Sequence, residues 1–126
     1  IKWATPHIRV RIISSRHAYY KRKGIILNVS PHSARCQIRM DDDGVILDDV
    51  PERYLETALP RVCDAVGTGG GTGGVVLLLK SFGRKGRLIE KRRREGKGVV
   101  QDLESLDVEV VDLDDVAEWC GDLEDL

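Results

Sequence analysis

The stretch Tyr19-Tyr20-Lys21-Arg22-Lys23-Gly24-Ile25-Ile26-Leu27-Asn28-Val29 constrains the fold more than any other part of the sequence. Two aromatics and three cations run into one glycine, and an apolar, β-branched run follows. A residue with a Cβ resists the backbone angles of a tight turn, so Gly24 predicts a turn between a basic loop and a strand. A second version stands at Lys80-Ser81-Phe82-Gly83-Arg84-Lys85-Gly86-Arg87-Leu88-Ile89. The two together predict small sheets, each with positive charge and ring faces at one edge.

The flanking sequence supplies the other strands. Residues 7–13 alternate polar and apolar over their first six positions, which sets Ile8, Val10 and Ile12 inward and Arg9 and Arg11 outward. Ala34, Cys36, Ile38 and Met40 alternate in the same way. Asp41-Asp42-Asp43-Gly44 then reads as a hairpin turn into Val45-Ile46-Leu47. Residues 50–54 fit one short helical turn, and 55–60 close the unit. Five short strands with tight turns predict a small all-β barrel. After a glycine-rich run at 67–74, strands are expected at 75–79, 87–91, 98–103 and 107–111, with a charged turn at 92–97. Leu113, Val116, Ala117 and Cys120 have the spacing of a short C-terminal helix. The predicted organisation is therefore a first barrel at 1–61, a Gly-rich linker at 62–74, a second barrel with its helix at 75–121 and an acidic tail at 122–126. The loose repeat at roughly seventy residues points to duplicated barrels, not to a solenoid.

A net charge of −1 selects no partner, but its distribution does. Residues 1–40 hold nine Lys or Arg and no acid, residues 80–97 hold nine bases against Glu90 and Glu95, and residues 101–126 hold eleven acids and no base. This segregation suggests two surfaces for an anionic partner and a separate acidic face. Aromatics make up only 5% of the 126 residues, so the core must be built from Val, Ile and Leu. Cys36, Cys63 and Cys120 are odd in number and widely spaced, the pattern of incidental thiols in a reduced, intracellular protein. No apolar run approaches the ~18 residues of a membrane span, and no membrane partner is expected. The start at Ile1 fits a piece of a longer protein.

Catalytic and metal motifs are not expected. Gly69-x-Gly71-x-x-Gly74 matches a dinucleotide fingerprint as letters, but a strand follows it where the fingerprint needs a helix. His7, His17 and His32 do not combine with the cysteines at zinc spacing, and His32-x-x-x-Cys36 is one half-site where a structural zinc needs four ligands. Asp41 to Asp43 could hold a divalent ion, but as a turn cluster it needs none. No nucleophile, base and orienter come together, so neither an enzyme nor a cofactor is predicted.

The basic loops carry the functional reading. Cations contact phosphates, and exposed rings stack on unpaired bases, which suits single-stranded nucleic acid. Candidate RNA-binding residues are Arg16, His17, Tyr19, Tyr20, Lys21, Arg22 and Lys23 in the first unit. In the second they are Lys80, Phe82, Arg84, Lys85 and Arg87, with Arg92 to Arg94 beside them.

Tyr20-x-x-Lys23-Gly24-Ile25-Ile26-x-x-Val29, placed after the strand at 8–13, resembles the KOW motif of SH3-like barrels in ribosomal proteins and NusG-type transcription factors. Trp3, the strand at 9–13, Tyr54-Leu55-Glu56-Thr57-Ala58-Leu59-Pro60-Arg61, Gly98-Val99-Val100-Gln101-Asp102-Leu103 and Leu113 to Gly121 extend the likeness. Together they resemble the C-terminal half of the G-patch and KOW-motif spliceosomal proteins, in their plant form, over residues 3–126. The KIN-type nuclear proteins, with tandem KOW barrels and a related Leu-Glu-Thr-x-x-Pro closure, are the alternative.

The resemblance implies a mainly β fold of two SH3-like KOW barrels in tandem. It implies a nuclear, RNA-binding protein of pre-mRNA splicing. Spliceosomal proteins would be its partners, with a DEAH-box helicase engaged through a G-patch outside this chain. A protein-docking module of an RNA-processing complex is the other functional reading. The second basic loop is shorter than the family's usual one, which points to the first barrel for RNA.

Overall fold

In the computed structural model, residues 3–61, 74–81 and 83–122 are described. The chain divides into two compact units, Ile1–Ala58 and Leu59–Leu126.

The first unit is one antiparallel sheet of β1 (Arg9–Ile12), β2 (Lys23–Val29), β3 (Arg35–Met40), β4 (Ile46–Pro51) and β5 (Leu55–Thr57), in the order β4-β3-β2-β1-β5. The period-two alternation places its core. Ile8, Val10, Ile12, Ile26, Cys36, Ile38, Met40, Val50 and Leu55 are all buried. Burying a side chain of this size is worth roughly 1.5–3 kcal/mol, and alternation is what lets one face of a sheet do so. Gly44, at φ 72, turns the β3–β4 hairpin, and the Met40 amide donates to the Val45 carbonyl at 2.8 Å. A single 3-10 turn, Glu52–Tyr54, carries the chain from β4 to β5.

The second unit repeats this order with β6 (Val75–Leu78), β7 (Lys85–Arg92), β8 (Lys97–Asp102), β9 (Val108–Asp112) and β10 (Val116–Glu118). Its sheet runs β10-β6-β7-β8-β9. Val76, Leu78, Leu88, Val100 and Val116 form its core, with Leu59, Val111 and Leu113 packed against it.

Two expectations are corrected. Gly24 is not the turn residue; it is the second residue of β2, opposite Val10 and Met40. A Cβ there would lie 2.7 Å from both the Arg39 carbonyl oxygen and the Ile38 Cγ2. The glycine is needed for close approach of β3, and the positive φ of this loop falls on Lys21, at 71°. Gly86 repeats the arrangement between Val76 and Asp102. The predicted C-terminal helix is also absent: Leu113–Asp115 is a 3-10 turn and Val116–Glu118 is β10. Leu113, Val116 and Ala117 recur at helical spacing because the turn sets Leu113 on the core just before a strand begins. Val116 and Ala117 are then paired with Leu78 and Leu77 of β6.

The Gly-rich linker, apart from Gly74, and the acidic tail beyond Asp122 lie outside the described residues.

Candidate nucleic-acid interface

The first basic loop leaves β1 at Ile13 and returns at Lys23 through overlapping turns. The amides of His17, Tyr20 and Arg22 donate to the carbonyls of Ser14, His17 and Tyr19 at 3.0–3.1 Å. Two further bonds fasten the end of the loop to β1: Lys21 N–H to the Ile12 carbonyl at 2.8 Å, and Ile12 N–H to the Arg22 carbonyl at 3.0 Å. Lys21 sits at positive φ between them, a conformation that costs a non-glycine residue on the order of 1–3 kcal/mol. This backbone sends consecutive side chains to different surroundings.

Tyr19 and Arg22 turn toward the β3–β4 hairpin. The Tyr19 hydroxyl donates to Asp43 Oδ2 at 3.0 Å, Arg22 Nε donates to Asp42 Oδ2 at 2.7 Å, and the Arg22 guanidinium lies 4.3 Å from the Tyr19 ring centre. Asp43 also accepts from the Val45 amide at 3.0 Å. That bond first, then Tyr19 and Arg22, holds the Asp43 carboxyl below the usual carboxylate range. Asp41 lies 3.1 Å from Arg9 Nε, so all three aspartates of the hairpin meet cations of their own unit. His17 accepts from the Tyr19 amide through Nδ1 at 3.0 Å, and Arg16 is exposed.

Tyr20 and Lys21 turn the other way. With Arg11, Ile12, Ile13 and Glu56 they line an open groove of about 400 Å³. Tyr20 is 41% exposed, and the Lys21 Nζ stands 5.4 Å from its ring centre. Strand register sets Lys23, Arg11 and Glu56 side by side across β2, β1 and β5. Two like charges opposed in this way repel. Arg11 Nη1 donates to Glu56 Oε1 at 3.0 Å, which offsets the repulsion and leaves Lys23 and Lys21 without a carboxylate partner among the described residues. Arg11, Ile13 and Glu56 escaped the sequence reading as site residues. Only the outward phase of Arg11 in its strand could have signalled one of them.

The second loop differs. Lys80 pairs with Asp115 at 3.3 Å, Arg84 with Asp102 at 2.8 Å and Glu109 at 3.5 Å, and the Lys85 ammonium lies 4.4 Å from the Trp119 ring. Asp102 also accepts from the amides of Ser105 (3.0 Å) and Glu104 (2.8 Å). The Ser105 amide first, then Arg84 and the Glu104 amide, lowers its carboxyl to about 2. Arg87 is half-buried on β7 opposite Gln101, and Arg93 and Arg94 are exposed in a 3-10 turn. Phe82 lies outside the described residues. Asp102, Glu109 and Asp115, from the stretch of acids that looks segregated along the sequence, thus fold back on the cations of their own unit, and Asp112 does so with Lys97. The structure brings the first loop's Tyr20 and Lys21 together with Arg11 and Lys23, and it engages Lys80 and Arg84 with carboxylates.

The model of the GPKOW C-terminal domain matches residues 8–121. Protein MOS2 of Arabidopsis thaliana is 37% identical over 129 residues, an alignment covering 98% of this chain and 26% of MOS2. The chain therefore spans about a quarter of the length of that relative.

Proposed function

Because the chain belongs to the GPKOW family, whose C-terminal domain it carries, we propose that it is the RNA-binding module of a nuclear protein acting in pre-mRNA splicing. In this reading each five-stranded sheet is an SH3-like barrel, the first unit holds single-stranded or irregular RNA, and the module binds without catalysing a reaction. Spliceosomal proteins are its partners, and a DEAH-box helicase is reached through a G-patch elsewhere in the full-length protein.

The observation that carries the reading is the groove of the first unit. An exposed Tyr20 ring offers a stacking face for an unpaired base, and Lys21 in the groove and Lys23, beside Arg11 on the neighbouring strand, offer phosphate contacts that no carboxylate of the described residues occupies. Stacking of a base on an aromatic side chain is worth about 1–3 kcal/mol and tolerates any sequence. Each phosphate neutralised on a single strand adds about −0.7 to the slope of log K against log salt.

Fluorescence anisotropy with a labelled single-stranded oligouridylate, repeated over a range of salt, tests this. Replacing Lys21 and Lys23 with Gln is expected to weaken binding and to flatten the salt slope by about 1.4. Tyr20→Ala is expected to weaken binding by about 1–3 kcal/mol at an unchanged slope. Lys80→Gln serves as the control and is expected to change little. Salt-independent binding, or an equal loss from Lys80→Gln, would refute the site.

A further inference from the structure

We infer that the outer edge of β9 in the second unit is a docking site for an extended, basic segment of a partner protein, which adds to the sheet as a further antiparallel or parallel strand. The inference is independent of RNA binding by the first unit.

β9 pairs only with β8 among the described residues, and it closes its sheet on that side. The phase of its backbone follows from two bonds at its ends. Leu113 N–H donates to the Gly96 carbonyl at 2.9 Å, and the Asp107 carbonyl accepts from Asp102 N–H at 2.9 Å. In an antiparallel ladder alternate residues bond the same neighbour, so Glu109 and Val111 face β8. Val108, Val110 and Asp112 then direct their N–H and C=O groups to the open side. Their side chains add an apolar strip: Val108 is 57% exposed, Val110 56% and the preceding Leu106 64%.

Sheet edges of this kind are ordinarily blunted, because unpaired backbone groups beside apolar side chains recruit other strands. The first unit does blunt the corresponding edge. Its β3–β4 ladder is broken by a register shift between Cys36 and Ile38, and Asp49 of β4 stands at φ 56. The β8–β9 ladder instead runs through five consecutive pairs, Lys97↔Asp112 to Gln101↔Val108, with no shift. Within one molecule, the same position in the repeat is interrupted in one unit and left regular in the other.

Charge selects the occupant. Residues 102–115 contain seven acids and no base. Arg84, Lys80 and Lys97 engage Asp102, Glu109, Asp115 and Asp112, whereas Glu104, Asp107 and Asp114 have no ion-pair partner among the described residues. These three bracket the edge, two at one end and one at the other. A segment alternating Lys or Arg with β-branched residues satisfies the backbone groups, covers Val108 and Val110, and places cations against the acids. RNA, with its own negative charge, is disfavoured here.

The test uses the whole chain, ¹⁵N-labelled, and the peptide acetyl-Lys-Val-Lys-Val-Lys-Val-Lys-amide. Expected are saturable shifts of the Val108, Val110 and Asp112 amides, slower hydrogen exchange at those amides, and no response to the matching Glu-Val peptide. Val110→Lys, at an exposed position, is expected to leave the spectrum folded and weaken peptide binding by more than about tenfold, since it sets like charges against each other across the interface. Val110→Pro removes an outward donor without touching the β8 ladder and is expected to abolish the protection. Shifts at Tyr20 and Lys21 instead, shifts of β9 on adding oligouridylate, or a concentration-dependent shift of β9 in the chain alone would each overturn the assignment.

Discussion

Gly86→Ala separates two explanations of the glycine that precedes the apolar run in each unit. A Cβ at Gly86 would stand 2.3 Å from Val100 Cγ1 and 2.7 Å from the Gln101 carbonyl oxygen. Carbon atoms rest at about 3.5–4.0 Å, so the overlap exceeds roughly 1 Å. A side chain can rotate away from such a contact, but a carbonyl inside the β7–β8 ladder cannot, and the strands must part. Overpacking of this kind costs about 1–3 kcal/mol, and the backbone contact puts Gly86→Ala toward the upper end. In a unit of this size 2 kcal/mol lowers the melting temperature by about 8–16 °C. Trp3 lies in the first unit and Trp119 in the second, so thermal unfolding followed by fluorescence in a Trp3→Phe background reports the second alone. Two controls sharpen the result. Val100→Ala removes the nearest methyl, so the double variant should lose at least about 0.5 kcal/mol less than the sum of the singles. Gly86→Asn should be worse than Gly86→Ala, because it adds bulk. A turn glycine at positive φ would show the opposite order, since Asn tolerates that region. An unchanged melting temperature for Gly86→Ala, or Asn tolerated better than Ala, would refute close approach as the reason for the glycine.

Two further outcomes concern titrating groups. Asp102 is lowered to about 2, chiefly by the Ser105 amide and then by Arg84 and the Glu104 amide. A depressed carboxyl contributes its stability fully above the unfolded value of about 3.9 and loses it as pH falls through the folded value. The second unit should therefore weaken between about pH 4 and pH 2, and Asp102→Asn should lower stability at neutral pH while flattening that acid limb. Trp119 fluorescence against urea at each pH measures this, and parallel curves for the two proteins would count against it. Burial raises the Cys36 thiol to about 11, whereas Cys120 is half-buried. Iodoacetamide at pH 8 should alkylate Cys120 in the native chain and reach Cys36 only after the first unit unfolds, as read by peptide mass spectrometry.

The strands were legible because period-two alternation is imposed by the pleat itself, and the runs at 8–12 and 34–40 carry it cleanly. The role of Gly24 was not. A glycine before an apolar run is written with the same letters whether it supplies a positive φ or room for a neighbouring strand. Only the position of Arg39 decides between them. The C-terminal helix failed for a related reason: a 3-10 turn followed by a strand can reproduce helical spacing over four residues. The groove was half legible. Tyr20 and Lys21 are adjacent in the chain, but Arg11 and Glu56 are separated by 45 residues and meet only through β1–β5 pairing. Charge runs along the chain could not show the ion pairs of the second unit, because it is hairpin geometry that returns Asp102 and Glu109 to Arg84.

The two units solve one electrostatic problem in different places. Each folds a basic loop beside a later acidic stretch, and in each the acids hold an arginine: Arg22 through Asp42 and Asp43, Arg84 through Asp102 and Glu109. In the first unit the acidic stretch is the short hairpin at 41–43, which reaches one flank of the loop and leaves Tyr20, Lys21 and Lys23 on the other. In the second it continues along β9 and into the turn at Leu113–Asp115, so that Lys80, Arg84 and Lys97 are all engaged and carboxylates remain along the edge. Surplus cations therefore sit beside an exposed ring in one unit, and surplus acids beside an exposed apolar edge in the other. A polyanion and a basic peptide are the partners whose charge complements these two surpluses, and on the two proposals made above RNA would occupy the first unit and a protein segment the second.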